Sequence, residues 1–281
     1  MISSSLKKYS LKIFIALLFI SRILIGCKEE TVQPADEIDP DAVKILFIGN
    51  SYMDVNNLPY TLKGFTDISD IKIYIGADIV LGTKLDDHVH SSYTYSLIGG
   101  TKWDYILLQG DPSSTAYPET EQIIIPDHTN HNEFLTLNTM KNYIKVICPG
   151  AKIIYIMPWA YEDGLTWIPG QTDTYEIMQK KIYDNTLQWC KELDIITAPV
   201  GWAWNEVMKS KKQLHYLFLD DYNHPSLQGT YLTASVLFTT IFRRSTEDIP
   251  YYYQLGTEEA EYLKSTASNM VMENLSLWYN E

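Results

Sequence analysis

The stretch Val43-Lys44-Ile45-Leu46-Phe47-Ile48-Gly49-Asn50-Ser51-Tyr52 decides the fold. Its first six residues are apolar except for Lys44 and read as a buried parallel strand. The run stops at a glycine and then presents Ser51. A serine just past such a strand stands at the carboxyl edge of a sheet, where open α/β folds put their chemistry. Outward from here, apolar runs alternate with helical stretches, the pattern of βαβ units. The spacing predicts strands at about 43–49, 71–79, 103–109, 152–157 and 195–200. Ile153-Ile154-Tyr155-Ile156-Met157 is a second unbroken apolar run, suited to a strand buried on both faces.

Helices are predicted over 131–148, 173–193, 226–243 and 257–278. In the second, Tyr175, Met178, Ile182, Trp189 and Leu193 share one face at the helical period. Asp173 can cap it, with Glu176 closing a capping box. Residues 110–130 hold three prolines and read as a long irregular rim at the end of the third strand.

Near the other end of the chain stands Asp221-Tyr222-Asn223-His224-Pro225-Ser226. A serine hydroxyl attacks well only when a base removes its proton, and histidine is the fitting base near neutrality. An aspartate then holds the imidazole in the right tautomer. Ser51, His224 and Asp221 are the candidate set, with Asp220 as the competing acid. The simpler readings are a helix-capping serine and a chance Asp-x-x-His. The G-x-S-x-G elbow of α/β-hydrolases is absent.

Taken together, Gly49-Asn50-Ser51 and Asp221-x-x-His224 resemble the first and last blocks of the SGNH (GDSL-like) hydrolases. The likeness runs over most of 43–245 and is nearest the bacterial branch whose first block reads IGNS. It implies a flavodoxin-like three-layer α/β/α sandwich with a five-stranded parallel sheet, and esterase or deacetylase activity without a cofactor. It implies Ser51 as nucleophile and Asp221 and His224 as the other members of the triad. It also implies an oxyanion hole of the Ser51 and Gly82 N–H groups and a further amide side chain. Gln109 stands where that family has an asparagine in its third block, and its amide can also donate. Gly82 has an alternative reading as a turn glycine, and Gln109 as a solvated strand end.

Among the aromatic residues, Trp159, Tyr161 and Trp167 follow the fourth strand, and Trp202 and Trp204 the fifth. One or two of the five, Trp159 and Trp202 first, are expected to touch a substrate such as a sugar ring, the rest to pack in the core. The pairs His88/His90 and His128/His131 lack the carboxylate or cysteine pattern of a known metal site, so no metal is expected. His88 reads as a structural residue beside the Gly82 loop.

The N-terminus reads as a targeting segment. Lys7, Lys8 and Lys12 precede a short apolar core from Ile13 to Ile20. Leu24-Ile25-Gly26-Cys27 then resembles a lipobox, in which the cysteine carries the lipid. An uncleaved N-terminal anchor is the alternative. The expected organisation is a signal peptide over 1–26, an acidic tether over 27–41 and a hydrolase domain over 42–281. The expected location is the cell envelope, lipid-anchored through Cys27 on the periplasmic side or the outer surface. Removing residues 1–26 takes the formal charge from −13 to −17. An acidic body of this kind argues against a nucleic-acid partner. Cys148 and Cys190 remain, either bonded or as two buried thiols. The expected activity is hydrolysis of an acyl ester, with acetyl groups on carbohydrate as the example the resemblance suggests. The rival reading is a surface carbohydrate-binding lipoprotein on the same fold with a weakened site.

Overall fold

Strand β1 (Val43–Gly49) is buried from Ile45 onward, as its apolar run requires. The computed structural model describes residues 38–118, 132–166, 173–211, 213 and 215–280. In it, β1 pairs in parallel with β2 (Ile73–Ile79) and with β3 (Tyr105–Gln109). Strand β4 (Lys152–Ile156) follows β3, and β5 (Ile196–Ala198) follows β4, both parallel. The sheet order is β2-β1-β3-β4-β5, the doubly wound order of flavodoxin. The chain leaves β1 towards β2 on one side and returns to place β3 on the other. The crevice at the carboxyl ends of β1 and β3 is therefore the topological switch point, where such folds bind ligands.

The helices are α1 (Ser51–Asp54), α2 (Leu58–Ile68), α3 (Leu85–Val89), α4 (Ser92–Gly100) and α5 (Pro112–Ala116), then α6 (Glu133–Ile147) and α7 (Tyr175–Leu193). After β5 come α8 (Val200–Ser210), α9 (Leu227–Phe242), α10 (Thr257–Met272) and α11 (Leu275–Tyr279). Side chains alternate across each strand, so the sheet has two apolar faces. Ile45, Phe47, Leu107, Ile154 and Ile156 face a core shared with α2, α8, α9 and α10. Leu46, Ile48, Ile106, Leu108, Ile153 and Tyr155 face a second core shared with α3, α4 and α6. Helix α7 gives Met178 and Ile182 to the first core and Cys190 and Leu193 to the second. The fold is thus a three-layer α/β/α sandwich around a five-stranded parallel sheet.

Helix α9 is buried at every position from Gly229 to Ile241. Three of its threonines are tolerated there because their hydroxyls find partners within the helix. Thr233, Thr239 and Thr240 donate to the carbonyls of Gly229, Ser235 and Val236 at 2.9, 2.9 and 2.8 Å. Among the described residues, no helix is long and apolar enough to cross a membrane.

Several boundaries differ from the sequence expectation. Helix α7 is capped by Thr174, whose side chain accepts the Ile177 N–H at 3.3 Å. Asp173 instead accepts the Leu165 N–H at 2.8 Å, so it ties the preceding loop to the helix entry. The predicted 257–278 helix breaks after Met272, and α11 folds back so that the Trp278 indole donates to the Met270 carbonyl. Pro112–Ala116 is helical within the segment expected to be irregular, while 119–131 lies outside the described residues. So do the signal segment, Cys27, the tether up to residue 37, Trp167, His128 and His131. Cys148 and Cys190 are both free and buried, and burial pushes the Cys190 thiol up to about 12.

Candidate active site

Asn50 follows β1 and caps α1, accepting the Tyr52 N–H at 3.1 Å. This turns the chain sharply and leaves Ser51 half-buried at the sheet edge. The partner loop is built as tightly. An isolated antiparallel bridge joins Phe218 to Pro225, and the Leu219 N–H donates to the His224 carbonyl at 2.8 Å. Ser226 then caps α9, accepting the Gly229 N–H at 3.2 Å and donating to the Tyr216 carbonyl at 2.9 Å. Tyr222 takes a left-handed conformation, φ 62°, at the tip. This closed loop holds Asp221 and His224 side by side.

Three side chains meet in line. The His224 Nε2 lies 2.8 Å from the Ser51 Oγ, and its Nδ1 lies 2.6 Å from the Asp221 Oδ2. The other Asp221 oxygen accepts the backbone N–H groups of Asn223 and His224 at 3.0 and 2.9 Å. Partial burial pushes the Asp221 carboxyl up. The His224 and Asn223 N–H groups and the imidazole outweigh this and hold it below the usual carboxylate range. An ionised Asp221 takes the Nδ1 proton as a hydrogen bond, which leaves Nε2 free to accept from the serine hydroxyl. The imidazole bonds to Asp221, not to Asp220.

Tyr52 packs edge-on against the His224 ring, with centroids 5.3 Å apart, and its hydroxyl donates to the Asn223 side chain. Sequence reasoning missed both residues, because neither Tyr nor Asn at these positions carries a local signal.

Gly82 has φ +74°, a conformation that strains any residue with a Cβ, and a Cβ there would meet nothing within 4 Å. Its loop is strapped to the end of β1. The Val80 N–H donates to the Gly49 carbonyl at 3.0 Å, and the Asn50 amide donates to the Thr83 carbonyl at 2.8 Å. Among the described residues, the N–H groups of Ser51 and Gly82 have no hydrogen-bond partner. Gln109 is buried at the end of β3, and its amide donates to the Asn50 Oδ1 at 3.2 Å. Its other amide atom lies 3.5 Å from the Asn50 N–H. Gln109 thus grips the residue before Ser51. Gly49 makes room for it, since a Cβ there would lie 2.7 Å from the Gln109 Oε1.

The two tryptophans expected to bind substrate do not offer a free ring. Trp159 is 2 % exposed, stacked on Trp204 at 4.2 Å and packed against Tyr52 at 5.1 Å. Its indole donates to the Asn223 carbonyl at 3.0 Å, so it supports the histidine loop from below. Trp202 lies against Tyr183 of α7 at 4.0 Å and is a packing residue. Both corrections have one cause: an aromatic residue just after a strand can turn inward, and here both rings pack on the first core. Tyr161, which follows β4 at the same edge, is half-buried and hydrogen bonded to Tyr52 and Ser113. His88 is committed to Asp78 and the Gly49 carbonyl, and so is not open to a metal.

No family model matches the chain, and no curated protein does. Solved structures do. A DUF4886 family protein from Bacteroides uniformis superposes with a TM-score of 0.68 at 19% identity, over 83% of this chain and 95% of that one. A candidate SGNH hydrolase from Slackia heliotrinireducens gives 0.56 at 19% identity, over 71% and 99%. An acetyl-xylooligosaccharide esterase from Geobacillus, in a variant form, gives 0.52 at 18% identity, over 72% and 94%. At these identities the likeness is one of fold: the chain folds as these proteins do.

Proposed function

We propose that the protein is a serine ester hydrolase acting on acyl esters. The observation that carries this reading is the Ser51–His224–Asp221 line, with contacts of 2.8 and 2.6 Å. In the proposed reaction Ser51 Oγ attacks the ester carbonyl while His224 Nε2 takes its proton. Asp221 holds the imidazole and stabilises the imidazolium that forms. The negative charge that develops on the carbonyl oxygen falls to the N–H groups of Ser51 and Gly82. Gln109, anchored on Asn50, has a second amide N–H that can complete the set. His224 then passes its proton to the leaving alcohol. Water, activated by the same imidazole, frees the acid and restores Ser51.

The substrate we propose is a small acyl ester, with acetylated carbohydrate as the natural class. Its support is the shared fold of an acetyl-xylooligosaccharide esterase, together with the proposed place of the protein in the cell envelope. We also propose that Cys27 carries a lipid that holds the domain at a membrane. The test is acetate release from acetylated oligosaccharides and from a chromogenic acetyl ester. Ser51→Ala and His224→Ala should each lower kcat by several orders of magnitude while the domain stays folded. Undiminished turnover in Ser51→Ala would rule out this mechanism.

A further inference from the structure

We propose that Asp78 and His88 form a second, buried His–carboxylate pair that positions the two backbone oxyanion donors relative to each other. His88 lies on α3 and Asp78 on β2, and their side chains are only 3% and 2% exposed. The His88 Nδ1 is 2.9 Å from the Asp78 Oδ2, and the Thr94 hydroxyl donates to the same oxygen at 2.5 Å. On its other side, the His88 Nε2 is 3.0 Å from the Gly49 carbonyl. A carbonyl only accepts, so Nε2 carries a proton. Burial pushes the Asp78 carboxyl up, but the His88 and Thr94 hydrogen bonds prevail and hold it below the usual range. It is then a carboxylate, and it faces the His88 Nδ1. The ring is held between the Asp78 carboxylate and a backbone oxygen.

The place of that oxygen gives the pair its role. The Gly49 carbonyl accepts from both the His88 Nε2 and the Val80 N–H, at 3.0 Å each. Gly49 is two residues before Ser51, and Val80 is two residues before Gly82. One carbonyl therefore ties the nucleophile turn to the glycine loop, and His88 occupies its second lone pair. The His88 Nε2 is also 3.4 Å from the Thr83 hydroxyl, which itself donates to the Val80 carbonyl at 2.8 Å. His88 contacts neither nucleophile nor substrate in this scheme; it is a positioning residue. A misplacement of about 1 Å at such donors is enough to cost about a hundredfold in rate.

This inference rests on the hydrolase reading above, and its test separates the two. His88→Gln alone takes the imidazole from a buried carboxylate, leaving it the Thr94 hydroxyl, and can fail to fold. The working variant is therefore the double change His88→Gln with Asp78→Asn, which removes the carboxylate together with the imidazole and keeps hydrogen-bonding groups. In the folded double variant, kcat should fall about ten- to a hundredfold with KM within about twofold, and fluorophosphonate labelling of Ser51 should slow in parallel. Nitrogen-15 NMR of the unmodified protein should show a proton on the His88 Nε2, held in its bond to the Gly49 carbonyl. A His88 ring without a proton on Nε2, or a folded double variant with unchanged kcat and labelling rate, overturns the inference. Ser51→Ala is the control: hydrolysis surviving there contradicts the hydrolase reading, whereas hydrolysis lost there but intact in the double variant overturns only the role of the pair.

Discussion

Three unlike constraints agree on the position of Ser51. Asn50 caps the turn, Gln109 grips Asn50, and the closed loop from Leu219 to His224 brings the imidazole to 2.8 Å. The choice between the two neighbouring acids is a test at this scale. Asp221 orients the imidazole and Asp220 does not, so Asp221→Asn should reduce kcat by about 10⁴-fold while Asp220→Asn stays near the unmodified rate. Steady-state kinetics of the two variants reads this directly, and a damaging Asp220→Asn would reassign the acid. Ser51, Asp221 and His224 could be read in the sequence because each sits in a short motif with fixed spacing. The Asp78–His88 pair could not, since a strand residue and a helix residue ten positions apart form no local pattern. Nor could the fate of Trp159 and Trp202, because sequence position does not say which way a ring turns.

The elements show the same division. The central strands were legible as unbroken apolar runs, and α7 as a long stretch of helical period. Helices of four or five residues, such as α1, α3 and α5, are too short to display a period and were not foreseen. Caps were legible only in part, because Asp173 and Thr174 are both good capping residues and the choice between them is made by Leu165 in a separate loop. Thr174→Ala should destabilise the protein by about 1 kcal/mol, the usual cost of a lost N-cap. Calorimetry or urea unfolding would measure this, and no change in stability would return the cap to Asp173.

At the scale of the whole molecule, the doubly wound sheet puts Ser51, Gln109 and the Gly82 loop at one edge, since β1 and β3 are neighbours and β2 feeds the loop beside them. The alternation of strands and helices pointed to a parallel sheet, while the strand order came from the resemblance rather than from any pattern in the residues. Beneath that edge lies Glu133, fully buried and accepting from the Tyr155 hydroxyl at 3.2 Å. Burial, reinforced by Asp111, pushes its carboxyl up from 4.5 to about 8. The native state thus keeps a proton that the unfolded chain releases above its lower pKa. This stabilisation is complete below about 4.5 and is lost as pH rises through about 8. Over that window the loss is a few kcal/mol, on the order of 1.4 kcal/mol for each unit of displacement. Glu133→Gln should flatten the fall in urea midpoint between these pH values; parallel curves for variant and unmodified protein would show that Glu133 does not set it. The proposed anchor belongs to the same scale: Cys27→Ala should abolish labelling by a fatty-acid probe and release the protein from membranes, and equal labelling would disprove a lipid on Cys27. The central claim is an activated Ser51, and a fluorophosphonate probe reads it most directly. Incubation of the intact domain, followed by peptide mass spectrometry, should find one phosphonate on Ser51, absent in His224→Ala. A folded protein left unlabelled at Ser51, or labelled equally without His224, would contradict the account.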